Sequence, residues 1–286
     1  MTSTGWWFQA KHALDTQGPF PRRRRRTLAE AVSGRRVLIT GASSGIGRSA
    51  AIDLAAAGAT VLLVARREPE LQEVVDAVTG RGGTAFAYSC DLNDAEASDT
   101  MIRKILDEHG GVDILVNNAG RSIRRSLEQS YERAHDFERT MQLNYFAAVR
   151  LMLGVLPGMR ERRFGQVINI LSAANLFGGP GYSAYVASKA ALDEVSTSFQ
   201  AETLDENITF TSVYMPLVRT AMIAPNEQYL KAAALSPEEA GRVICDAVVD
   251  RPRRVGPTFG RLTRLVDAIS TERADAARHR RFASGI

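Results

Sequence analysis

Tyr185 and Lys189 stand four residues apart in Tyr185-Val-Ala-Ser-Lys189, which puts them on one face of a helix, a turn from each other. An ammonium held near a phenol favours phenolate and lowers the tyrosine pKa from its ordinary value of about 10. The phenol then becomes a usable general acid and base near neutral pH. Many solvated helix faces carry such a pair, so spacing alone says little. Ser172 upstream, and the run Thr40-Gly-Ala-Ser-Ser-Gly-Ile-Gly47 much further upstream, give it weight.

Gly41, Gly45 and Gly47 follow an apolar strand and open a helix, with Ser43, Ser44 and Ile46 between them. Glycine there permits a tight turn and close backbone approach to a pyrophosphate, which the N–H groups of the helix start then bind. The second strand ends Val64-Ala65-Arg66-Arg67. A carboxylate at that point would bind the 2′-hydroxyl of NADH; Ala65 cannot, whereas Arg66 can pair with a 2′-phosphate. The pattern therefore favours NADPH, against the plainer reading of Arg66 and Arg67 as solvated loop charges. Asp91, after the third strand, is placed to accept from the adenine amino group, with Leu92 beside the ring.

The elements that must position these residues alternate regularly. Strands are expected at Val37–Ile39, Thr60–Ala65, Thr84–Ser89, Val112–Val116, Gln166–Leu171 and Ile208–Tyr214, with a short one near Val255. Helices are expected between them: from the glycine turn to about Gly58, over Pro69–Val78, Asp94–His109, Ala184–Leu204 and Pro237–Val249, and in a long region ending near Arg163 that breaks at Leu156-Pro157-Gly158. Unbroken Val/Ile/Leu strands are buried on both faces, so the fold class is α/β: one Rossmann-like, doubly wound parallel sheet with helices on both faces. The expected organisation is a basic and aromatic arm over 1–33, a nucleotide-binding catalytic domain over 34–256, and a helical tail over 257–286.

The 286 residues, 45% hydrophobic and 24% charged, suit one large domain. The net charge of +4 misleads, because residues 1–36 carry +6 and the remainder −2. A body this acidic does not suggest a nucleic-acid partner. The arm joins Trp6, Trp7 and Phe8 to Arg22–Arg26, which could dock on an anionic membrane surface or lie against a neighbouring subunit. No apolar region follows the arginines as a signal peptide requires, and no run reaches a membrane-spanning length. Cys90 and Cys245 lie far apart in apolar settings and suggest neither a disulfide nor a metal site. A cytoplasmic location is expected.

From Val37 to Pro216 the chain resembles the short-chain dehydrogenase/reductase superfamily: Thr40–Gly47, Asp91, Asn117-Asn-Ala-Gly120, Asn144, Ser172, Tyr185 and Lys189 all match in order, with the serine thirteen residues before the tyrosine. The resemblance implies roles. Tyr185 would exchange a proton with the substrate oxygen, and Lys189 would bind the nicotinamide ribose and lower the tyrosine pKa. Ser172 would orient the substrate oxygen, and Asn144 would hold a water linking Lys189 to solvent. Asn118, Ala119 and Gly120 would stabilise the sheet and pass under the adenosine ribose. Pro216 and Thr220 would approach the nicotinamide carboxamide, although Pro216-Leu-Val-Arg-Thr220 lacks the family's usual glycine and is one residue shorter. The family also implies a homodimer or homotetramer, built through the helices near 134–159 and 184–204.

Within the superfamily, Asn118–Arg125, His135–Asn144, Tyr214–Thr220 and Leu235–Ala240 are similar to bacterial fatty acyl-CoA reductases, which reduce a long-chain acyl-CoA to the aldehyde with NADPH. An NADP(H)-dependent carbonyl reductase or alcohol dehydrogenase with an apolar aldehyde, ketone or steroid-like substrate would use the same residues. A non-catalytic NADPH-binding scaffold would have no need of all four of Asn144, Ser172, Tyr185 and Lys189. Leu217–Leu235 reads as an apolar lid carrying Met222 and Ile223, and Ala173–Gly181 as the opposite wall, with Leu176, Phe177 and Tyr182 as substrate contacts. Arg121, Arg124 and Arg125 could contact coenzyme A phosphates, or could belong to a solvated loop or an inter-subunit salt bridge. His135 and Asp136, as helix neighbours, face different ways, and a surface or packing role is expected for them.

Overall fold

The computed structural model describes residues 14–15, 26–224, 232–257, 260, 263, 267 and 269–283. The tryptophans and Arg22–Arg25 of the arm, and residues 225–231 of the expected lid, lie outside the described residues.

Seven parallel strands form the sheet: β2 (Arg36–Thr40), β3 (Thr60–Ala65), β4 (Thr84–Ser89), β5 (Ile114–Asn117), β6 (Gly165–Ser172), β7 (Ile208–Met215) and β8 (Arg254–Pro257). A two-residue strand, β1 (Leu14–Asp15), runs antiparallel along β8. The order is β1-β8-β7-β6-β5-β2-β3-β4. Alternation of side chains along each strand feeds two cores. Val37, Ile39, Val61 and Leu63 face one layer; Leu38, Leu62 and Val64 face the other. Every central strand is covered twice, which is why its sequence is continuously apolar. The edge strand β4, and the short β8, instead alternate between buried and more exposed positions.

One layer contains α1 (Leu28–Val32), α2 (Gly45–Ala56), α3 (Glu68–Thr79) and α9 (Pro237–Asp250); the other contains α4 (Ala95–His109), α6 (Ala147–Glu161) and α8 (Ser183–Glu202). The helix α5 (Ala134–Met141) runs into α6 through a π turn at Gln142–Phe146, where the Ala147 N–H donates to the Gln142 carbonyl. Two further helices, α7 (Ala174–Phe177) and α10 (Thr271–Ala283), lie beside the substrate side of the sheet.

One expectation needs correction. The helix does not break at Leu156-Pro157-Gly158, because Pro157 lies inside an unbroken α6. Proline costs one hydrogen bond to the carbonyl four residues back, and that residue, Leu153, is 56% exposed, so water can replace the bond. The discontinuity is the π turn instead. After a short turn, β2 follows a brief helix within the stretch expected as an arm. Thr27 and Glu30 form a capping box that starts α1, whose Ala31 and Val32 are buried in the core.

Candidate active site

Chain order changes direction between β2 and β5: β3 lies on one side of β2 and β5 on the other. Open α/β sheets bind ligands in the crevice beyond the carboxyl ends at such a switch point. Thr40 closes the crevice from below. Its hydroxyl accepts the N–H groups of Asn118 and Ala119 at 3.0 and 2.9 Å and donates to the Val116 carbonyl. Asn118 Nδ2 donates to the carbonyls of Thr40 (2.9 Å) and Gly41 (3.3 Å), so Asn118 and Ala119 hold the glycine turn in place. Asn117 donates to Asn169, and Asn169 to Ser196, which ties β5 to β6 and α8.

The turn itself is a cradle that side chains would fill. Gly41 and Gly45 have φ of +64° and +55°, in the left-handed region, and a Cβ on Gly47 would lie 2.5 Å from the Gly41 carbonyl oxygen. Ser44 caps α2 without a side-chain hydrogen bond, which leaves the first-turn N–H groups for an anion. Arg66 is exposed at the end of β3, and Arg67 reaches back to Ser43 at 3.4 Å while pairing with Glu70. Arg67, not among the residues expected to bind cofactor, thus also borders the glycine turn; its place directly after Arg66 was the available signal. Asp91 is exposed with its Oδ1 accepting twice from Asn93, beside buried Leu92. A β-carbon on Gly45 would touch Thr220 Cγ2 at 3.0 Å, so the shortened Pro216–Thr220 segment still crosses over the glycine turn. These groups fit a phosphorylated dinucleotide, with its pyrophosphate at α2 and a further phosphate near Arg66 and Arg67.

Ser172 at the end of β6, Tyr185 and Lys189 on α8, and Asn144 in the π turn converge beside this cradle. The Ser172 hydroxyl hydrogen-bonds the Tyr185 phenol and pulls its pKa down, but burial outweighs it and the net shift is upward. Lys189 does not counter this shift. Its Nζ donates to the Ile170 carbonyl at 2.7 Å, and burial depresses its pKa to about 8. The expected lowering of the tyrosine pKa by Lys189 is therefore absent from this arrangement, because dehydration disfavours both charged forms.

Asn144 is almost fully buried, with its side chain engaged at both ends. Oδ1 accepts from Arg121 N at 2.8 Å; Nδ2 donates to the Arg121 carbonyl and to Ser188 Oγ, both at 2.9 Å. Asn144 Oδ1 and Lys189 Nζ also face one another across Gly120, where a β-carbon would lie 3.3 Å from the first and 3.4 Å from the second. Among the expected substrate contacts, Leu176 is buried in the core, Phe177 and Tyr182 are half-buried, Ile223 is half-buried and Met222 is exposed. The base of the lid is closed by a bridge between Val218 and Leu235. Arg278 of α10 donates to the Phe177 carbonyl, adding a wall that the expected tail had not suggested.

The short chain dehydrogenase family model matches residues 35–230. The chain is a short-chain dehydrogenase/reductase. It is 53% identical over 243 residues to a fatty acyl-CoA reductase of Acinetobacter baylyi, covering 85% of this chain and 82% of that one. A fatty acyl-CoA reductase of Mycobacterium tuberculosis is 44% identical over 251 residues, 87% of this chain and 85% of the other. Among solved structures, a metagenomic short-chain oxidoreductase in complex with NADP superposes with a TM-score of 0.67 at 28% identity, covering 77% of this chain and 92% of that one. This short-chain dehydrogenase/reductase is thus an oxidoreductase resembling the fatty acyl-CoA reductase subgroup. No helix among the described residues is long and apolar enough to cross a membrane.

Proposed function

We propose that this enzyme uses NADPH to reduce a long-chain fatty acyl-CoA to the aldehyde. The observation that carries the substrate is the 53% and 44% identity to two fatty acyl-CoA reductases across most of each chain. Support for NADPH comes from Arg66 and Arg67 at the tip of β3 where Ala65 replaces a carboxylate, and from the NADP held by the structural neighbour.

The nicotinamide, when bound, supplies hydride to the carbonyl carbon. Everything else is the chain's own work. Ser172 and Tyr185, already hydrogen-bonded to each other, give the carbonyl oxygen two hydroxyl donors. Tyr185 delivers the proton as that oxygen gains electrons; its raised pKa keeps the phenol protonated beforehand. Lys189, one turn further along α8, donates to the Ile170 carbonyl and stands where it would meet the nicotinamide ribose. Asn144 fixes the backbone of Arg121 and the Ser188 hydroxyl, and Asn144 Oδ1 and Lys189 Nζ both border Gly120, where a relaying water would bridge them. For a thioester, protonation gives a hemithioacetal; breaking its C–S bond releases the aldehyde and the coenzyme A thiol.

Purified protein is to be incubated with NADPH and palmitoyl-CoA or decanal, following NADPH absorbance and product thiol. NADPH loss matched by thiol release with palmitoyl-CoA is expected, abolished in Tyr185→Phe. Turnover of decanal alone would replace the acyl-CoA reading with that of an aldehyde reductase. Full activity in Tyr185→Phe would remove the proposed acid.

A further inference from the structure

Asp136 is 3% exposed, yet three arginines and a histidine surround it. Oδ2 accepts from Arg125 Nε at 2.9 Å and Arg133 Nε at 2.8 Å; Oδ1 faces Arg133 Nη2 at 3.3 Å, His135 Nε2 at 3.5 Å and Arg139 Nη1 at 3.9 Å. His135 therefore does approach Asp136, contrary to the expectation from helix geometry. Arg125 thus pairs through its Nε with a carboxylate of its own chain. Surrounded by guanidinium groups, the Asp136 carboxyl is held well below the usual carboxylate range. It stays ionised at any pH at which the enzyme works.

Burying a carboxylate with several cations is a poor way to gain stability, since apolar residues of similar volume often do as well. What such a cluster does secure is geometry. Arg125 ends a stretch whose other end, Arg121, is clamped through its backbone N–H and carbonyl by Asn144. Asp136 and Asn144 belong to one continuous helical segment, α5 and the π turn. Within that segment, the Thr140 hydroxyl donates to the Asp136 carbonyl at 2.6 Å. The backbone N–H of Arg125 in turn donates to the Gly181 carbonyl at 2.8 Å. Gly181 has φ of +81°, ends the wall opposite the lid, and precedes Tyr185 by four residues.

We infer that Asp136 is a positioning residue for substrate: through Arg125 it holds Gly181, and so sets the 173–181 wall against the catalytic tyrosine. The segment that carries Asn144 thereby fixes both the catalytic relay and the substrate wall. This inference rests on carbonyl reduction at the Ser172–Tyr185 site, whichever carbonyl compound is reduced.

The test compares Asp136→Asn, Asp136→Glu, Arg125→Met and the Asp136→Asn/Arg125→Met double variant. Misplacement by an ångström away from the reacting atoms can cost as much as about a hundredfold, so a roughly tenfold rise in KM for the carbonyl substrate is expected in Asp136→Asn. The dissociation constant for NADPH should stay within about twofold of native, because the glycine cradle lies on the other side of Arg121. Arg125→Met should match Asp136→Asn, the double variant should add nothing, and Asp136→Glu should recover part of the loss. Hydrogen exchange gives a readout independent of substrate: peptides over 121–126 and 173–182 should lose protection while those over α6 keep it. A lowered melting temperature with native KM and native exchange at 173–182 would overturn the inference. So would a double variant whose effects add.

Discussion

Replacing Gly47 by alanine opposes two effects whose sizes decide the outcome. Gly47 lies in the first turn of α2 at an ordinary helical φ, so alanine would by itself stabilise the helix by about 1 kcal/mol. Its β-carbon, however, would sit 2.5 Å from the Gly41 carbonyl oxygen and 2.7 Å from Asn118 Nδ2. Comfortable contact begins at about 3.5 Å, so these groups must separate by roughly 1 Å. Neither can yield easily: one is backbone, and the other is held by the Thr40 and Gly41 carbonyls. Overpacking of this kind costs about 1–3 kcal/mol, enough to cancel or exceed the helix gain. Displacement of the turn would weaken one or two charge-assisted hydrogen bonds to pyrophosphate, each about 1.5–3 kcal/mol. The NADPH dissociation constant should therefore rise roughly ten- to a hundredfold, with a small change in melting temperature. Gly82→Ala is the control. It has φ of +78° and nothing within 4 Å of the new carbon, so it should cost about 1–2 kcal/mol in stability and leave cofactor binding alone. Fluorescence titration with NADPH and a thermal melt on both variants provide the check. Native affinity in Gly47→Ala, or equal loss in Gly82→Ala, would refute the steric account.

Two further outcomes follow. With a pKa of about 8, Lys189 carries its proton below that pH and loses it above, whereas Tyr185, shifted upward, stays protonated beyond it. At saturating NADPH, kcat/KM for the carbonyl substrate should fall as pH rises through about 8, and Lys189→Met should lose that limb; a flat profile to pH 10 in the native enzyme contradicts the assignment. Arg66→Ala should weaken NADPH binding about tenfold or more while NADH binding changes less than about twofold, measured by parallel titrations. Equal weakening of both would move the 2′-phosphate contact elsewhere, with Arg67 the first alternative.

The strands and the glycine turn were legible because their signals are local and chemical. Continuous apolar runs mark strands covered on both faces, and TGxxxGxG marks a turn where Cβ atoms do not fit. The candidate catalytic residues, which the fold brings together, were legible as types at fixed spacings. Where reading failed, the cause was geometric. Pro157 signals a break only if its orphaned carbonyl lacks water, and exposure is a property of the fold. The π turn at 142–146 is a change in hydrogen-bond partner that no residue type announces. Asp136 was dismissed from the faces of its own helix, although Arg125 comes from a loop eleven positions earlier. The capping box of Thr27 and Glu30 was local and could have been read.

Burial also sets the resting protonation of this site. Reduction needs a phenol that still holds its proton when the carbonyl arrives; oxidation of an alcohol needs a phenolate to receive one. Desolvation raises the Tyr185 pKa, and Lys189, turned to the Ile170 carbonyl and with its own pKa depressed, does not reverse the shift. Without cofactor, then, the site rests with the phenol protonated. That is the state a reductase requires at its first step. Charge brought in near Lys189 would change the balance, but the residues alone favour donating a proton over accepting one.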